Sequence, residues 1–142
     1  MGDDVADQNE RNALLATEFR SNGGTVAEEK FKNAKLLLLT TTGRNSGRSF
    51  MNPMQYLADG DRYIVFASHQ GAPDNPDWFK NLEAAGTAIV EVGQETFEAR
   101  AEVLVGEERD ELYRRQAASH PTFGEYERRT SRVIPVVALY RK

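Results

Sequence analysis

Short apolar runs that end in glycine or polar turns dominate the hydrophobic pattern of this chain. The clearest lies between Phe97 and Val105, where every second residue is apolar, as in a strand with one buried face. The continuous run KLLLLTTT over residues 35–42 ends in β-branched residues and is typical of a buried strand. Six strands are predicted in all, over residues 35–42, 48–57, 62–68, 87–92, 97–105 and 133–140.

Helical spacing is clearest near the N-terminus. Leu15 and Phe19 are four residues apart and therefore share one face of a helix predicted over residues 8–21. Asp7 followed by Glu10 resembles a capping box at its start, and the Asn-Gly-Gly after it is a stop signal. Further helices are predicted over residues 76–86, 107–119 and 121–131, and a loop over residues 25–34.

The connections between the predicted strands determine the fold class. They are mostly tight turns, which favour antiparallel pairing because parallel strands need long crossovers. Closing such a sheet removes its exposed edges. The sequence therefore predicts one α+β domain over residues 1–142, a six-stranded antiparallel barrel with peripheral helices, in which residues 1–8 are flexible.

Charge and composition narrow the function classes. The net charge of −4 argues against nonspecific nucleic-acid binding. Apolar runs such as Leu36 to Leu39 are far shorter than the ~20 residues of a membrane-spanning helix. The chain has no cysteine, which is compatible with a cytoplasmic protein. Lys30 to Ala58 contains five cations and no acid, so it predicts either a local anion site or a solvated basic edge.

The side chains offer little catalytic chemistry of their own. His69 and His120 are far apart and lack the spacing of metal ligands. The sequence has no G-x-S-x-G elbow, no Walker A motif and no G-x-G-x-x-G. An enzyme with this inventory would take its chemistry from a bound cofactor.

The best anion candidate is the turn TGRNSGR over residues 42–48. Its two glycines allow the backbone to point several N–H groups outward, as in an anion-binding nest. Arg44 and Arg48 can add charge-assisted bonds to a phosphate. The alternative is an ordinary hairpin turn with solvated arginines.

A second candidate runs from Ala67 to Trp78, where a strand ends in a polar loop and a helix begins. Asn75 is predicted to cap that helix, with Pro76 at its first position. A helix N-terminus suits an anionic or carbonyl-bearing ligand. Trp78 could flank a flat ring there, or it could simply pack the helix onto the barrel.

A third candidate is the aromatic pair Phe123 and Tyr126, which lie three residues apart on one helix face. Arg128, Arg129 and Arg132 follow closely. The pair could line a pocket for an apolar substrate, or it could belong to the core.

Five segments in this order resemble the deazaflavin-dependent nitroreductases, also called F420H2-dependent quinone reductases. The resemblance extends from about Asn9 to Leu139. It rests on LLLLTTTGRNSGR at 36–48, Pro53, DGDRYIVFAS at 59–68, GAPDNPDWFKNL at 71–82 and RTSRVIPVVAL at 129–139.

The resemblance implies a split β-barrel that binds the deazaflavin coenzyme F420 and transfers hydride to a quinone, nitroaromatic or activated enone. It implies that the turn holds the cofactor's phosphate and acidic tail, and that the loop and the following helix border its ring. The cofactor-binding residues so implied are Gly43, Arg44, Ser46, Gly47, Arg48, Pro53, Ala67, Ser68, Gly71, Pro76, Trp78 and Asn81. Tyr126 matches a position near the substrate pocket, and Ser68 or Tyr126 could orient the acceptor.

Three positions depart from the family pattern. Asn45 stands where lysine is usual, Phe50 where arginine is usual, and His69 where lysine is frequent. With fewer cations near the anionic end, FMN in the same barrel is one alternative, and a non-catalytic carrier of a cofactor or lipid is another. The expected partners are a small-molecule acceptor and, through the open face of the barrel, a second copy of the chain.

Overall fold

The computed structural model describes residues 2–26 and 35–142, with side chains from residue 10 onward. These residues form a curled antiparallel sheet of seven strands surrounded by four α-helices. The strands are β1 (Leu36–Thr42), β2 (Ser49–Gln55), β3 (Leu57–Asp59), β4 (Arg62–Phe66), β5 (Thr87–Val92), β6 (Glu95–Leu104) and β7 (Val136–Arg141). The helices are α1 (Gly2–Ser21), α2 (Asp77–Ala85), α3 (Gly106–Ser119) and α4 (Thr122–Arg129).

The strand order is β2-β1-β5-β6-β7-β4-β3, and every neighbouring pair is antiparallel. The predicted second strand, 48–57, is therefore two strands, and the prediction of six strands is wrong. Tyr56 interrupts it: its N–H bonds to Lys35 O at 3.0 Å, and the next residue, Leu57, pairs with Ile64 on the opposite edge. Because a single residue separates β2 from β3, the two edges of the sheet belong to one bent segment.

The interior of the curled sheet is filled by apolar side chains from six of its strands and closed by α2. Leu37 and Leu39 point inward, whereas Leu36 and Leu38 point outward beneath α1, and all four are buried. This burial on both faces explains why the β1 sequence is continuously apolar instead of alternating. From α2, Phe79 and Leu82 join the same core.

Helix α1 covers the outer face of β1 and β2. Ala16 and Phe19 are almost fully buried there, and Arg20 makes a two-pronged ion pair with Glu91 of β5 at 2.7 and 2.8 Å. The helix begins at Gly2, so the predicted start at residue 8 is wrong, and Asp7 lies within the helix instead of capping it. Most of the loop predicted over residues 25–34 lies outside the described residues.

Helices α3 and α4 cover the outer face at the other side of the sheet, over β4 and β7. Their presence changes the burial pattern of β6. The predicted alternation holds at Phe97 and Ala99, but Val103 and Val105 are 39% and 77% exposed, while Leu104 is buried. Near the start of α3 the outer face of β6 becomes the buried one, because α3 covers it. The alternation of residues within one strand cannot indicate this change. None of the described helices is both long and apolar enough to cross a bilayer.

Candidate functional site

The turn between β1 and β2 is tightly closed by its own backbone. Gly43 N–H bonds to Arg48 O at 2.7 Å, and Gly47 N–H bonds to Gly43 O at 2.9 Å. Gly47 has a φ of +73°, in the left-handed region that favours glycine. A Cβ on Gly43 would lie 2.7 Å from both Phe50 Cε2 and Ser46 Oγ. The backbone conformation therefore favours glycine at position 47, and a side chain at position 43 would have to displace Phe50 and Ser46.

Several donors of this turn have no partner within the described part of the chain. The backbone N–H groups of Asn45 and Ser46 make no hydrogen bond there, and neither does the exposed guanidinium of Arg48. The Arg48 backbone N–H, in contrast, donates to Ser46 Oγ at 3.2 Å. The turn thus offers two amides and one full positive charge to an anion.

Arg44 connects the turn to α2. Asn81 Oδ1 accepts hydrogen bonds from the Arg44 backbone N–H at 3.1 Å and from its Nη1 at 2.7 Å. Arg44 Nη2 also lies 3.4 Å from Asp77 Oδ1, whose side chain is 82% exposed. Two residues assigned to the cofactor by resemblance, Arg44 and Asn81, therefore contact each other, and Asn81 fixes the turn against the helix.

The loop after β4 has an unusual backbone. Ser68 is buried and its hydroxyl has no hydrogen-bond partner among the described residues. His69, Gln70 and Gly71 follow as a single 3₁₀ turn with φ values of +49°, +56° and +80°. A Cβ on Gly71 would lie 2.8 Å from Tyr126 O, so this loop packs directly against α4.

A single arginine holds this loop from the α4–β7 connection. Arg132 donates to Ser68 O at 2.7 Å, to Ala72 O at 2.8 Å and to Ala67 O at 3.2 Å. Its Nη1 also donates to Asn75 Oδ1 at 2.7 Å. Burial is the main cause that lowers the pKa of Arg132 from its ordinary value.

The start of α2 lies between the turn and the loop. The helix begins at Asp77, with Pro76 at the capping position and no side-chain cap. The prediction that Asn75 caps it is wrong, because the Asn75 side chain is engaged by Arg132. The backbone N–H groups of Asp77 and Trp78 have no partner among the described residues. They carry the positive end of the helix dipole.

Two aromatic residues border this region. Trp78 is half-buried, packs on the interior core and meets Phe79 edge-on at 6.4 Å between ring centroids. Tyr126 is also half-buried and meets Phe123 at 5.3 Å, with Arg129 5.9 Å from its ring centroid. Both residues therefore pack on their neighbours and remain partly exposed.

The predicted site residues form two groups that meet at α2. Arg44 joins the turn to Asp77, and Arg132 joins the loop to Asn75, on either side of Pro76. Pro53 is the exception: it pairs with Leu38 in the middle of β2, on the face covered by α1. The structure brings Pro53 to neither group.

An open cavity of about 640 Å³ lies elsewhere, around the β3–β4 hairpin and the end of β7. No predicted site residue lines it. Its cations are already paired, Arg62 with Asp59 and Glu108, and Arg141 with Glu95. The free donors of the turn and of α2 suit an anionic cofactor better than these neutralised side chains do. Among the described residues, no cluster of His, Asp or Glu side chains could hold a metal ion.

Two residues that organise the site, Arg132 and Asn75, were not assigned to it from the sequence. Arg132 stood out only as one of three arginines after Tyr126, and its partners lie about 60 positions earlier in the chain. Local pattern carries no signal for contacts at that separation.

Comparison with known proteins identifies the family. The profile described as F420H(2)-dependent quinone reductase matches residues 13–141. An F420H(2)-dependent quinone reductase of Mycobacterium tuberculosis (strain ATCC 25618 / H37Rv) is 31% identical over 127 residues, which cover 87% of this chain and 85% of the relative.

Solved structures agree with this. The F420-H2 dependent reductase FDR-A superimposes with a TM-score of 0.68 at 32% identity, covering 74% of this chain and 93% of that one. A structure described as a domain-swapped dimer gives a TM-score of 0.70 at 29% identity, covering 97% and 98%. The chain therefore belongs to the F420H(2)-dependent quinone reductase family of oxidoreductases, whose cofactor is F420.

Proposed function

We propose that this enzyme transfers hydride from reduced F420 to a small quinone-like acceptor at the junction of the turn, the start of α2 and the Ser68 loop. The observation that carries the proposal is a set of donors without a partner among the described residues, in the turn and at the start of α2, two elements that Arg44 joins through Asn81 and Asp77. The turn contributes Arg48 and two backbone amides, and α2 contributes the amides of Asp77 and Trp78.

These donors fit the anionic part of F420. A phosphate and an acidic tail need several N–H donors and positive charge. The Asp77 carboxylate lies 3.4 Å from Arg44 Nη2, but its side chain is 82% exposed and the contact is weak. Residues 35–58 contain no acid. Arg44 is held in place by Asn81, so its guanidinium is preorganised beside the turn. We assign Gly43, Arg44, Ser46, Gly47 and Arg48 to this end of the cofactor, with Asn81 as their positioning residue.

The other end of the site suits a flat ring and a carbonyl-bearing acceptor. Bound F420 supplies the hydride, so the protein mainly aligns the two reactants. Trp78 offers a partly exposed aromatic side chain. Ser68 offers a hydroxyl that has no partner among the described residues and can donate to an acceptor oxygen. Gly71 keeps the loop against α4, where Tyr126 borders the acceptor.

The experiment is a parallel titration with oxidised F420 and FMN, followed by turnover of menadione with reduced F420. We expect F420 to bind and FMN to bind much more weakly, with F420H2 oxidised only when the acceptor is present. Nitroaromatics and activated enones then define the acceptor range. Binding without turnover of any of these acceptors would support a carrier and contradict the proposed reaction.

We also propose that the enzyme is a cytoplasmic homodimer. A structure 29% identical to this chain is described as a domain-swapped dimer. The superposition with this chain covers 98% of that structure's length. Light scattering after size-exclusion chromatography tests the dimer, and cell fractionation tests the location. A monomer at micromolar concentration would remove the first part of this proposal.

A further inference from the structure

We propose that Arg132 is a positioning residue that holds the loop over residues 67–75 in the shape that presents Ser68 to the reactants. The inference rests on the function proposed above, because Ser68 belongs to that site. Within the described part of the chain, the Arg132 guanidinium donates hydrogen bonds only to backbone carbonyls and the Asn75 side chain, so its effect on the reaction is exerted through the loop.

The first argument is the placement of its hydrogen bonds. Arg132 binds Ser68 O before the left-handed turn and Ala72 O after it, at 2.7 and 2.8 Å. It also reaches Ala67 O, where β4 ends, and Asn75 Oδ1, just before α2. One guanidinium therefore spans the whole segment between the strand and the helix.

The second argument is the backbone strain between those contacts. His69 and Gln70 both have φ near +50°, which costs free energy for residues with a Cβ. Such conformations persist only where the surroundings hold them, and they cluster at functional sites. The contact of His69 Nδ1 with Asp74 O at 3.0 Å and the packing of Gly71 on α4 contribute. Of the side chains that the structure describes, only Arg132 hydrogen-bonds to the backbone on both sides of the strained turn.

The third argument is the need for arginine at this position. The planar guanidinium donates in several fixed directions at once, whereas a lysine ammonium is a compact charge on a flexible stem. The backbone of Arg132 is fixed as well, because its N–H donates to Thr130 Oγ1 at 3.3 Å. Lysine would keep the charge but could not reproduce four bonds over this span.

The main test compares Arg132→Lys with wild type and with Arg114→Lys, a matched control on the exposed face of α3. We expect Arg132→Lys to lower the rate of F420H2 oxidation about tenfold, while the Kd for F420 changes less than threefold, because the turn that binds the anionic end is untouched. Amide hydrogen exchange within residues 68–75 should accelerate at least tenfold, with the sheet core unchanged. Arg114→Lys should match wild type in all three measurements.

A second variant separates loop positioning from general stability. Gln70→Gly removes the free-energy cost of the left-handed conformation at that position. The double variant Gln70→Gly/Arg132→Lys should therefore oxidise F420H2 at least three times faster than Arg132→Lys alone. Unchanged exchange in residues 68–75, equal acceleration across the whole chain, or no recovery with Gln70→Gly would each overturn the inference. If wild type fails to oxidise F420H2, the proposed function fails, while the exchange measurements still decide the role of Arg132.

Discussion

Replacing Arg48 with alanine should weaken F420 binding and leave the fold intact. The Arg48 side chain is exposed and makes no hydrogen bond or ion pair with a described residue. Its removal should therefore change the free energy of unfolding by less than about 0.5 kcal/mol, as at other unengaged surface positions. A charge-assisted bond to phosphate or carboxylate contributes about 1.5–3 kcal/mol, so the Kd for F420 should rise about 10- to 150-fold.

Arg44→Ala should weaken F420 binding and also lower the stability of the fold, and the structure gives the size of the loss of stability. The variant loses the Nη1 bond to Asn81 at 2.7 Å, but the Asn81 oxygen keeps the Arg44 backbone N–H at 3.1 Å. That loss should cost about 0.5–1.5 kcal/mol of stability. The contact with the exposed Asp77 at 3.4 Å adds little. Arg44→Ala should thus lose affinity and also melt a few degrees lower.

The assay is a titration of each variant with oxidised F420 at fixed ionic strength, together with thermal denaturation of the free protein. Arg114→Ala serves as the control, since Arg114 lies on α3 in an exposed pair with Glu111. Wild-type affinity in Arg48→Ala would refute the assignment of the turn to the anionic end of F420. A large loss of stability in the same variant would refute the description of Arg48 as unengaged.

Three further substitutions test other parts of the molecule. Asn45→Lys should tighten F420 binding and make the affinity fall more steeply with added salt, because the attraction of another exposed cation is screened within ~8 Å at physiological ionic strength. Titrations at two salt concentrations check this, and an unchanged affinity would place the tail elsewhere. Trp78→Phe should weaken F420 binding about 2- to 10-fold through loss of aromatic contact, measured beside Tm; unchanged binding in a destabilised protein would leave Trp78 a packing role only. Thr41→Val should raise stability by about 1–2 kcal/mol, because the Thr41 hydroxyl is buried and no described residue hydrogen-bonds to it. Thr42→Val, at an exposed position, is its control in chemical denaturation, and equal effects of the two would contradict the argument.

The sequence predicted much of the fold because most of the strands are specified locally. The continuous apolar run of β1, the extent of β5 from Thr87 to Val92, and the end of α2 at Gly86 agree with the structure. Gly86 adopts a φ of +76°, the conformation expected of a helix-ending glycine. The split at Tyr56 was missed because pairing with two different strands, β1 and β4, decides where one strand ends and the next begins, and such pairing is long-range.

The prediction of the family, of an oxidoreductase function and of F420 is confirmed by the family match over residues 13–141. The roles of individual residues remain predictions, and local pattern was a less reliable guide to them. It gave the closed shape of the Gly43–Arg48 turn correctly. It misassigned Asn75, since the same side chain can cap a helix or accept from a distant arginine, and only the tertiary fold decides between them.

Arg48 and Arg132 illustrate two different uses of arginine at one site. Arg48 has no partner in the part of the chain that the structure describes and is therefore available to the cofactor, whereas Arg132 is bound to four acceptors of the loop. The first should control affinity and the second the geometry of hydride transfer. Because the two side chains share no partner among the described residues, their effects should be independent.

The double variant Arg48→Ala/Arg132→Lys tests this independence. Its change in the free energy of activation, taken from kcat/KM for reduced F420, should equal the sum of the single changes within about 0.5 kcal/mol. Wild type, both single variants and the double variant complete the cycle under one set of conditions. A coupling above about 1 kcal/mol would mean that the turn and the loop respond to each other through the start of α2, and that affinity and alignment are not separable in this enzyme.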